Sequence, residues 1–380
     1  MARPRILVIG AGVAGLTLAG LLRSRPVDVD LVERAPADDF DGSGYMLGLL
    51  PLGGRVLTEL GLRDEYHDRS IQMERYRIHA ADGRLLQDYP LAAINDTFGS
   101  YRGVSRQDLI EVLLRSVDRE RIRFGTTVED LGRGSGAVTF SDGSSASYDL
   151  VVAADGLGSP TRDQLLDRSE VQRVDTGWGG WVTWLDEDPE PAYDEYWGPG
   201  SFLGLYPVRG RIGVFAGGPV EEIRAAGLPA FAERLAGAVD RGGDLPQRAL
   251  ATLANAADPY FWAFEDRRSQ VWHRDGVVLL GDAATGFLPT AGVGASMAMD
   301  SAAALADELS RMDLEHRTFA LDLYERRQRD RVERAQRDSR RFGRIMFVRS
   351  RLLAALRDRA VPRYRVERML ADLTKVMQGD

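Results

Sequence analysis

Three glycines, Gly10, Gly12 and Gly15, stand in G-x-G-x-x-G spacing directly after the apolar run Ile6-Leu7-Val8-Ile9. This spacing suits a pyrophosphate. The first glycine permits a tight turn, the second lets a phosphate approach the backbone, and the third lets helix and strand pack closely. A helix that opens there turns free N–H groups and a partial positive charge toward the phosphates. Glu33 ends a second strand about 20 residues downstream, where a carboxylate can accept from a ribose hydroxyl. The pattern points to a bound dinucleotide and leaves NAD and FAD open.

Two later stretches could complete such a site. In "DLVVAADGLGSPTR" (149–162) an apolar strand ends at Asp155-Gly156, and Ser159-Pro160 then opens a helix as N-cap and first residue. In "GVVLLGDAATGFLPTAGVGASMAMDSAAALADEL" (276–309) a buried strand delivers Asp282 just past Gly281. Ligands of α/β folds bind at such strand ends, and this carboxylate could accept from ribityl hydroxyls. Gly292 and Gly294 keep the loop thin before a helix beginning near Ala295, whose N-terminus could face the anionic edge of a reduced flavin. Taken singly, Asp155-Gly156 also fits an ordinary turn, and the glycine loop an ordinary βα connection.

The elements that must position these residues follow from periodicity. Strand 5–9, helix 14–24 and strand 27–32 form a βαβ unit. Hairpins turn at Asp82-Gly83 and Asp142-Gly143, and a helix over 105–118 starts at a Ser cap. From 171 to 216, short aromatic runs alternate with turns, which predicts an antiparallel sheet. In that sheet Trp178 and Trp184 share one face and Trp181 takes the other. A buried strand returns at 276–282, followed by helix 295–310, a long charged helical region at 316–345 and an amphipathic segment at 363–377. The expected architecture is α/β: a Rossmann-like dinucleotide domain with an inserted, mostly antiparallel β-sheet substrate domain and C-terminal helices. The expected boundaries are 1–72, 99–170 and 268–380 for the first domain, and 73–98 and 171–267 for the second.

Composition removes several chemistries. The 380 residues contain no cysteine, so disulfides, thiolate metal sites and a cysteine nucleophile are excluded. His67, His79, His273 and His316 have no metal-ligand spacing, and no metal site is expected. Lys375 is the only lysine among 49 basic residues, which argues against a catalytic lysine. A net charge of -8 gives no attraction to nucleic acid. Segment 324–351 has 11 Arg against 4 acids, which fits a solvated helix with i,i+4 Glu–Arg pairs. No run of eighteen apolar residues and no secretory signal are seen, so a cytoplasmic protein without a membrane span is expected.

The three motifs, in this order and at these separations, resemble those of the FAD-dependent class A monooxygenases, the para-hydroxybenzoate hydroxylase-like family. "GSGYMLGLLPLGGRVLTELGL" (42–62) is similar to the family's segment beside the isoalloxazine ring, and "VSRQDLIEVLL" (104–114) to the helix whose arginine reaches the cofactor. The resemblance implies that Gly10, Gly12, Ala14 and Gly15 receive the FAD pyrophosphate and Glu33 the adenosine ribose, with Arg34 nearby. It implies that Arg106 reaches the phosphates or ribityl chain, and that Val128 contacts adenine. Asp155 would serve FAD and NAD(P)H, and Gly281-Asp282 the ribityl chain or pyrophosphate. Pro289, Gly292, Gly294 and Ala295 would border the flavin ring. Departures are Ala284 where many relatives have His, Ser296 where Asn is frequent, and Ser301 where an acid is frequent.

The implied reaction uses NADPH or NADH to reduce FAD. Oxygen then adds at flavin C4a, and one oxygen atom passes to an aromatic or polyketide-like small molecule. "GYMLGLLPLGG" most resembles the tetracycline-inactivating branch. No protein nucleophile is required, and no catalytic residue is assigned. Met46, Trp181, Phe202, Tyr206 and Phe215 are candidates for an apolar substrate wall. Alternatives on the same fold are an FAD-dependent reductase or epoxidase, a halogenase, and a non-catalytic FAD protein sheltering an intermediate. The halogenase needs a lysine between flavin and substrate and a W-x-W-x-I-P motif, and "WGGWVTW" does not match it. Oligomeric state is not legible.

Overall fold

The computed structural model describes residues 3–40, 44–132, 134, 136–311 and 314–364. The segment expected at 363–377 lies, beyond residue 364, outside them.

Strand Arg5–Ile9 is the centre of a six-stranded sheet, flanked by Leu150–Ala153 and then Val277–Leu279 on one side, and by Asp28–Glu33 and then Ile122–Phe124 on the other. These five run parallel, and His273–Arg274 adds an antiparallel edge. Leu150–Ala153 and Val277–Leu279 are buried throughout. Continuous apolar runs are what a parallel sheet covered on both faces requires. Helix Val13–Leu22 packs on helix Gly294–Ser310. Both carry small residues where they approach the strand ends. Ser159 caps helix Pro160–Leu165 by accepting from the Arg162 N–H, and Ser105 caps helix Arg106–Leu114 by accepting from the Asp108 N–H.

A second sheet has seven strands in the order Tyr260–Ser269, Val171–Leu185, Arg211–Pro219, Ser201–Val208, Ala192–Gly198, Arg75–Ala80 and Leu85–Pro90. It is antiparallel except where Ala192–Gly198 meets Arg75–Ala80 in parallel. Those two strands come from distant parts of the chain, so no hairpin dictates their direction. Tyr260–Ser269, to which the sequence reading assigns no element, is an edge strand of this sheet. One face packs under helices Leu228–Ala238 and Asp244–Ala254. The other packs against Tyr45, Met46 and Leu288 and is partly covered by Phe342, Met346, Phe347 and Val361.

Two small sheets lie beside the large ones. Met46–Leu49, Arg102–Ser105 and Ile71–Gln72 form a three-stranded sheet. Gly103 comes so close to the Pro207 carbonyl that an added Cβ would lie 2.1 Å from it. The charged region is one helix, Arg317–Met346. Its arginines form i,i+4 pairs, Arg329 with Glu325 and Glu333. They also reach other elements, Arg331 with Asp300 and Arg340 with Asp266. Among the described residues no helix is long and apolar enough to cross a membrane.

Candidate active site

The C-terminal ends of strands Arg5–Ile9, Leu150–Ala153 and Val277–Leu279 lie side by side, which brings the three glycine motifs together. Gly10 has φ +102°, and a Cβ on it would lie 2.5 Å from the Ala154 carbonyl oxygen. A Cβ on Gly15 would lie 2.0 Å from the Gly10 oxygen, so helix and loop are in direct backbone contact there. Gly281, at φ +61°, meets Ala14: a Cβ on it would sit 2.9 Å from the alanine methyl. Gly12 is different. A Cβ there meets no protein atom within 4 Å.

Charged and polar groups line the same cleft. Glu33 accepts from the backbone N–H of Ala11 at 2.8 Å and from that of Ala35 at 2.8 Å, which fixes its carboxylate beside the glycine loop. Arg34 is exposed, and Val128 is buried at the start of strand Val128–Gly132. Asp155 Oδ2 accepts from the Thr161 N–H at 3.2 Å, while its buried Oδ1 has no partner in the protein. The Asp282 side chain is accessible yet deep in the molecule, and the surrounding protein mass pushes its carboxyl up to about 6.

The far end of the cleft is a loop and a helix start. Pro289 opens a short turn and Gly292 takes a left-handed conformation at φ +59°. Gly294 begins the long helix, with Ala295 half-buried beside it. Ser296 is fully buried and accepts from the Leu50 N–H at 2.9 Å, so this departure from the family pattern ties the helix start to strand Met46–Leu49. The Tyr101 hydroxyl stands between the two: Cβ atoms on Gly48 and Gly292 would lie 2.6 and 3.4 Å from it. Arg106 is the first residue of its helix, and its backbone N–H donates to the Tyr45 carbonyl at 2.8 Å.

Opposite this end lies the inner face of the seven-stranded sheet. Met46 rests on Gly213, where a Cβ would be 2.6 Å from the thioether methyl. Phe215 and Trp262 stack with ring centroids 6.2 Å apart, and Tyr45 packs on Trp262 at 4.6 Å. Burial pushes the Tyr45 phenol up to about 12, with Asp282 adding to the shift. Tyr206 is half-buried on the same face. Phe202 is 1% exposed and packs edge-on behind Phe215 at 5.7 Å.

The aromatic wall expected from sequence needs one correction. Trp181 lies on the other face of the sheet, against Phe231 at 5.8 Å and Phe261 at 5.2 Å. Alternation separates it from Trp178, which stacks on Phe347 at 4.7 Å. The face with Trp181 is the one under the helices, away from Met46 and Phe215. Trp262, Tyr45, Tyr101 and Glu195 take its place among the residues worth noting, and none was singled out from sequence. The alternation of "YFWAFED" was the available signal for Trp262. His79 pairs with Asp194 on the helix side of the sheet, and His273 with Asp322.

A family model described as an FAD binding domain matches residues 3–339. The chain belongs to the FAD-dependent aromatic monooxygenases of class A. It is 32% identical over 315 residues to 3-amino-4-hydroxybenzoate 2-monooxygenase of Streptomyces cremeus, covering 79% of this chain and 77% of that one. It is 30% identical to 2-heptyl-3-hydroxy-4(1H)-quinolone synthase of Pseudomonas aeruginosa, covering 90% and 89%. Among solved structures, Klebsiella pneumoniae HpxO complexed with FAD and uric acid superposes with a TM-score of 0.86 at 25% identity, covering 99% and 97%. The tetracycline destructase Tet(51) shares the fold at a TM-score of 0.71 and 21% identity, over 95% and 96%.

FAD fits the cleft of this monooxygenase fold on three observations. Gly12 leaves backbone open at the helix start, Asp155 keeps an unpartnered oxygen, and Asp282 is a deep, accessible acceptor. Together they offer N–H donors for phosphates and carboxylates for hydroxyls.

Proposed function

We propose that the chain is an NAD(P)H-dependent flavoprotein monooxygenase that hydroxylates an electron-rich aromatic or polyketide-like small molecule. Bound FAD would supply electron transfer from the nicotinamide and oxygen activation. The chain's own residues bind, orient and seclude. The loop Gly10–Gly15 and the N-terminus of helix Val13–Leu22 hold the pyrophosphate, with Glu33 on the ribose and Arg34 and Val128 toward the adenosine end. Arg106, Asp155 and Asp282 hold the middle of the cofactor. Pro289, Gly292 and the N–H groups opening helix Gly294–Ser310 face the ring edge that becomes negative on reduction.

Met46, Tyr206 and Phe215 form the substrate wall, with Trp262 and Tyr45 added and Phe202 as backing. They exclude water from the reacting carbon. We assign residues 1–72, 99–170 and 268–380 to the FAD domain, and 73–98 and 171–267 to the substrate domain, a division supported by the membership of the two large sheets.

One observation carries this reading. Strand Met46–Leu49 touches the 289–292 turn through Tyr101 on one side and the sheet face through Met46 on Gly213 on the other, so the cleft ends against the aromatic wall. The test mixes FAD-loaded protein with NADPH or NADH under nitrogen, with a phenol and polyketide panel, and then admits labelled oxygen. Flavin bleaching followed by one labelled oxygen in a product is expected. No bleaching with either nucleotide, whatever the ligand, sinks the reading.

A further inference from the structure

The sheet face opposite the flavin loops buries one carboxylate in a ring of neutral donors. Glu195 is 5% exposed. Its Oε1 accepts from the Tyr206 hydroxyl at 2.8 Å, and its Oε2 accepts from the Tyr76 hydroxyl at 2.8 Å and from Trp197 Nε1 at 2.9 Å. Among the described residues no cation pairs with it. Burial raises its pKa, and the three donors oppose that shift.

The backbone is shaped for this arrangement. Glu195 pairs across the sheet with Gly204, two residues before Tyr206 on the neighbouring strand. A Cβ on Gly204 would lie 2.3 Å from the Tyr206 ring, so the ring lies over the bare backbone and reaches Glu195. The cross-strand partner of Tyr206 is Gly213, the glycine beneath Met46. Tyr206 therefore borders the candidate substrate chamber while its proton points away, into Glu195.

A phenol has one proton to donate. With that proton held by Glu195, the Tyr206 oxygen offers lone pairs to whatever lies beside it. The chamber wall adds Met46, Phe215 and Trp262, which are uncharged. Of the arginines near this face, Arg211 lies 3.9 Å over the Trp184 ring, Arg102 donates to Ser70 and to the His67 carbonyl, and Arg209 is exposed at the turn. A substrate carboxylate would lose its hydration here, next to a buried carboxylate.

We propose that the chamber selects neutral aromatic substrates bearing a hydroxyl or N–H donor and rejects aromatic carboxylates, with Tyr206 as the acceptor and Glu195 as the positioning residue behind it. The inference rests on the proposed function only in taking this face as the substrate wall and Arg106 as a cofactor ligand.

The test reads binding to the oxidised, FAD-loaded protein through flavin fluorescence, without turnover. Matched probes at two ring sizes are used: methyl 4-hydroxybenzoate, 4-hydroxybenzoate and methyl 4-methoxybenzoate, and 4-hydroxyquinoline with its 2-carboxylate and its 4-methoxy ether. The neutral hydroxylated member of each set should bind at least about tenfold tighter than its carboxylate and its ether. Glu195→Gln should shrink the neutral-to-carboxylate ratio. Tyr206→Phe should shrink the hydroxyl-to-methoxy ratio and leave the carboxylate excluded. A merely structural role would weaken all probes together.

A carboxylate as the tightest ligand, an ether binding as well as its phenol, or no binding by either neutral hydroxylated probe overturns the proposal. So do ratios unchanged in both variants. Failure of the proposed function reads differently, as flavin that neither nucleotide reduces.

Discussion

A Cβ on Gly15 would lie 2.0 Å from the carbonyl oxygen of Gly10, whereas one on Gly12, between them in the same loop, would touch nothing within 4 Å. The two positions therefore separate folding from cofactor binding. Gly15→Ala forces backbone against backbone and should destabilise the protein by at least about 3 kcal/mol, beyond the usual cost of overpacking. Gly12→Ala should leave denaturant stability of the FAD-free protein within about 1 kcal/mol while weakening FAD at least about tenfold. Urea melts and FAD titrations of both variants decide the matter. A Gly12→Ala protein that keeps normal FAD affinity removes the phosphate role of this loop.

Asp282 gives a pH-dependent prediction. Its folded pKa is raised to about 6, above the ordinary aspartate value of about 4. For a carboxyl shifted upward, the folded state binds the extra proton. The destabilisation is fully present above pH 6 and is relieved as pH falls from 6 toward 4. Asp282→Asn should raise the melting temperature of the FAD-free protein at pH 7.5 and converge with the parent near pH 4. Its FAD affinity should fall. Melting curves that keep a constant offset across pH 4–8 would contradict the raised pKa of this carboxyl.

Gly213 predicts a separation of another kind. Gly213→Val puts a branched side chain where Met46 now rests, 2.6 Å from its methyl. Because Gly213 lies in the seven-stranded sheet, away from the glycine motifs, FAD content should stay near the parent level. Product formation should drop by about tenfold or more as the chamber narrows. Equal loss of flavin and activity would instead indicate global damage.

Asp266 is fully buried and makes two bonds to Arg340, at 2.8 and 2.7 Å, linking the long C-terminal helix to the sheet edge. Removing one partner strands a buried charge. Asp266→Ala should cost about 3–5 kcal/mol in thermal or denaturant unfolding. A change below about 1 kcal/mol would mean that water reaches Arg340 readily.

Much of the FAD side was legible because its signals are local. Gly15 and Ser159 act on neighbours within a few residues, and the structure shows those contacts. The sheet side was not. Alternation separated Trp181 from Trp178, but which face looks toward the flavin depends on where helices 228–238 and 244–254 pack. Glu195 reads in "AYDEYWGPG" as one more surface acid. Its burial comes from Tyr76, 119 residues away, through a parallel strand pair that no turn announces. The departure at Ser296 likewise acquires meaning only from Leu50, 246 residues distant.

The order of strands in the first sheet also bears on how the protein is made. Once Val32 has emerged it is the one strand neighbour that Ile9 can have, while its other partner, Ala153, and that strand's partner, Leu279, have still to be translated. At roughly 5–20 residues per second, the glycine loop waits on the order of ten to fifty seconds for the chain that closes over it. Through that interval a nascent apolar strand stands open on one edge, exposed to chaperones or to a sister chain on the same message. The helix that opens at Gly294, the proposed border of the flavin ring, emerges after all of these strands.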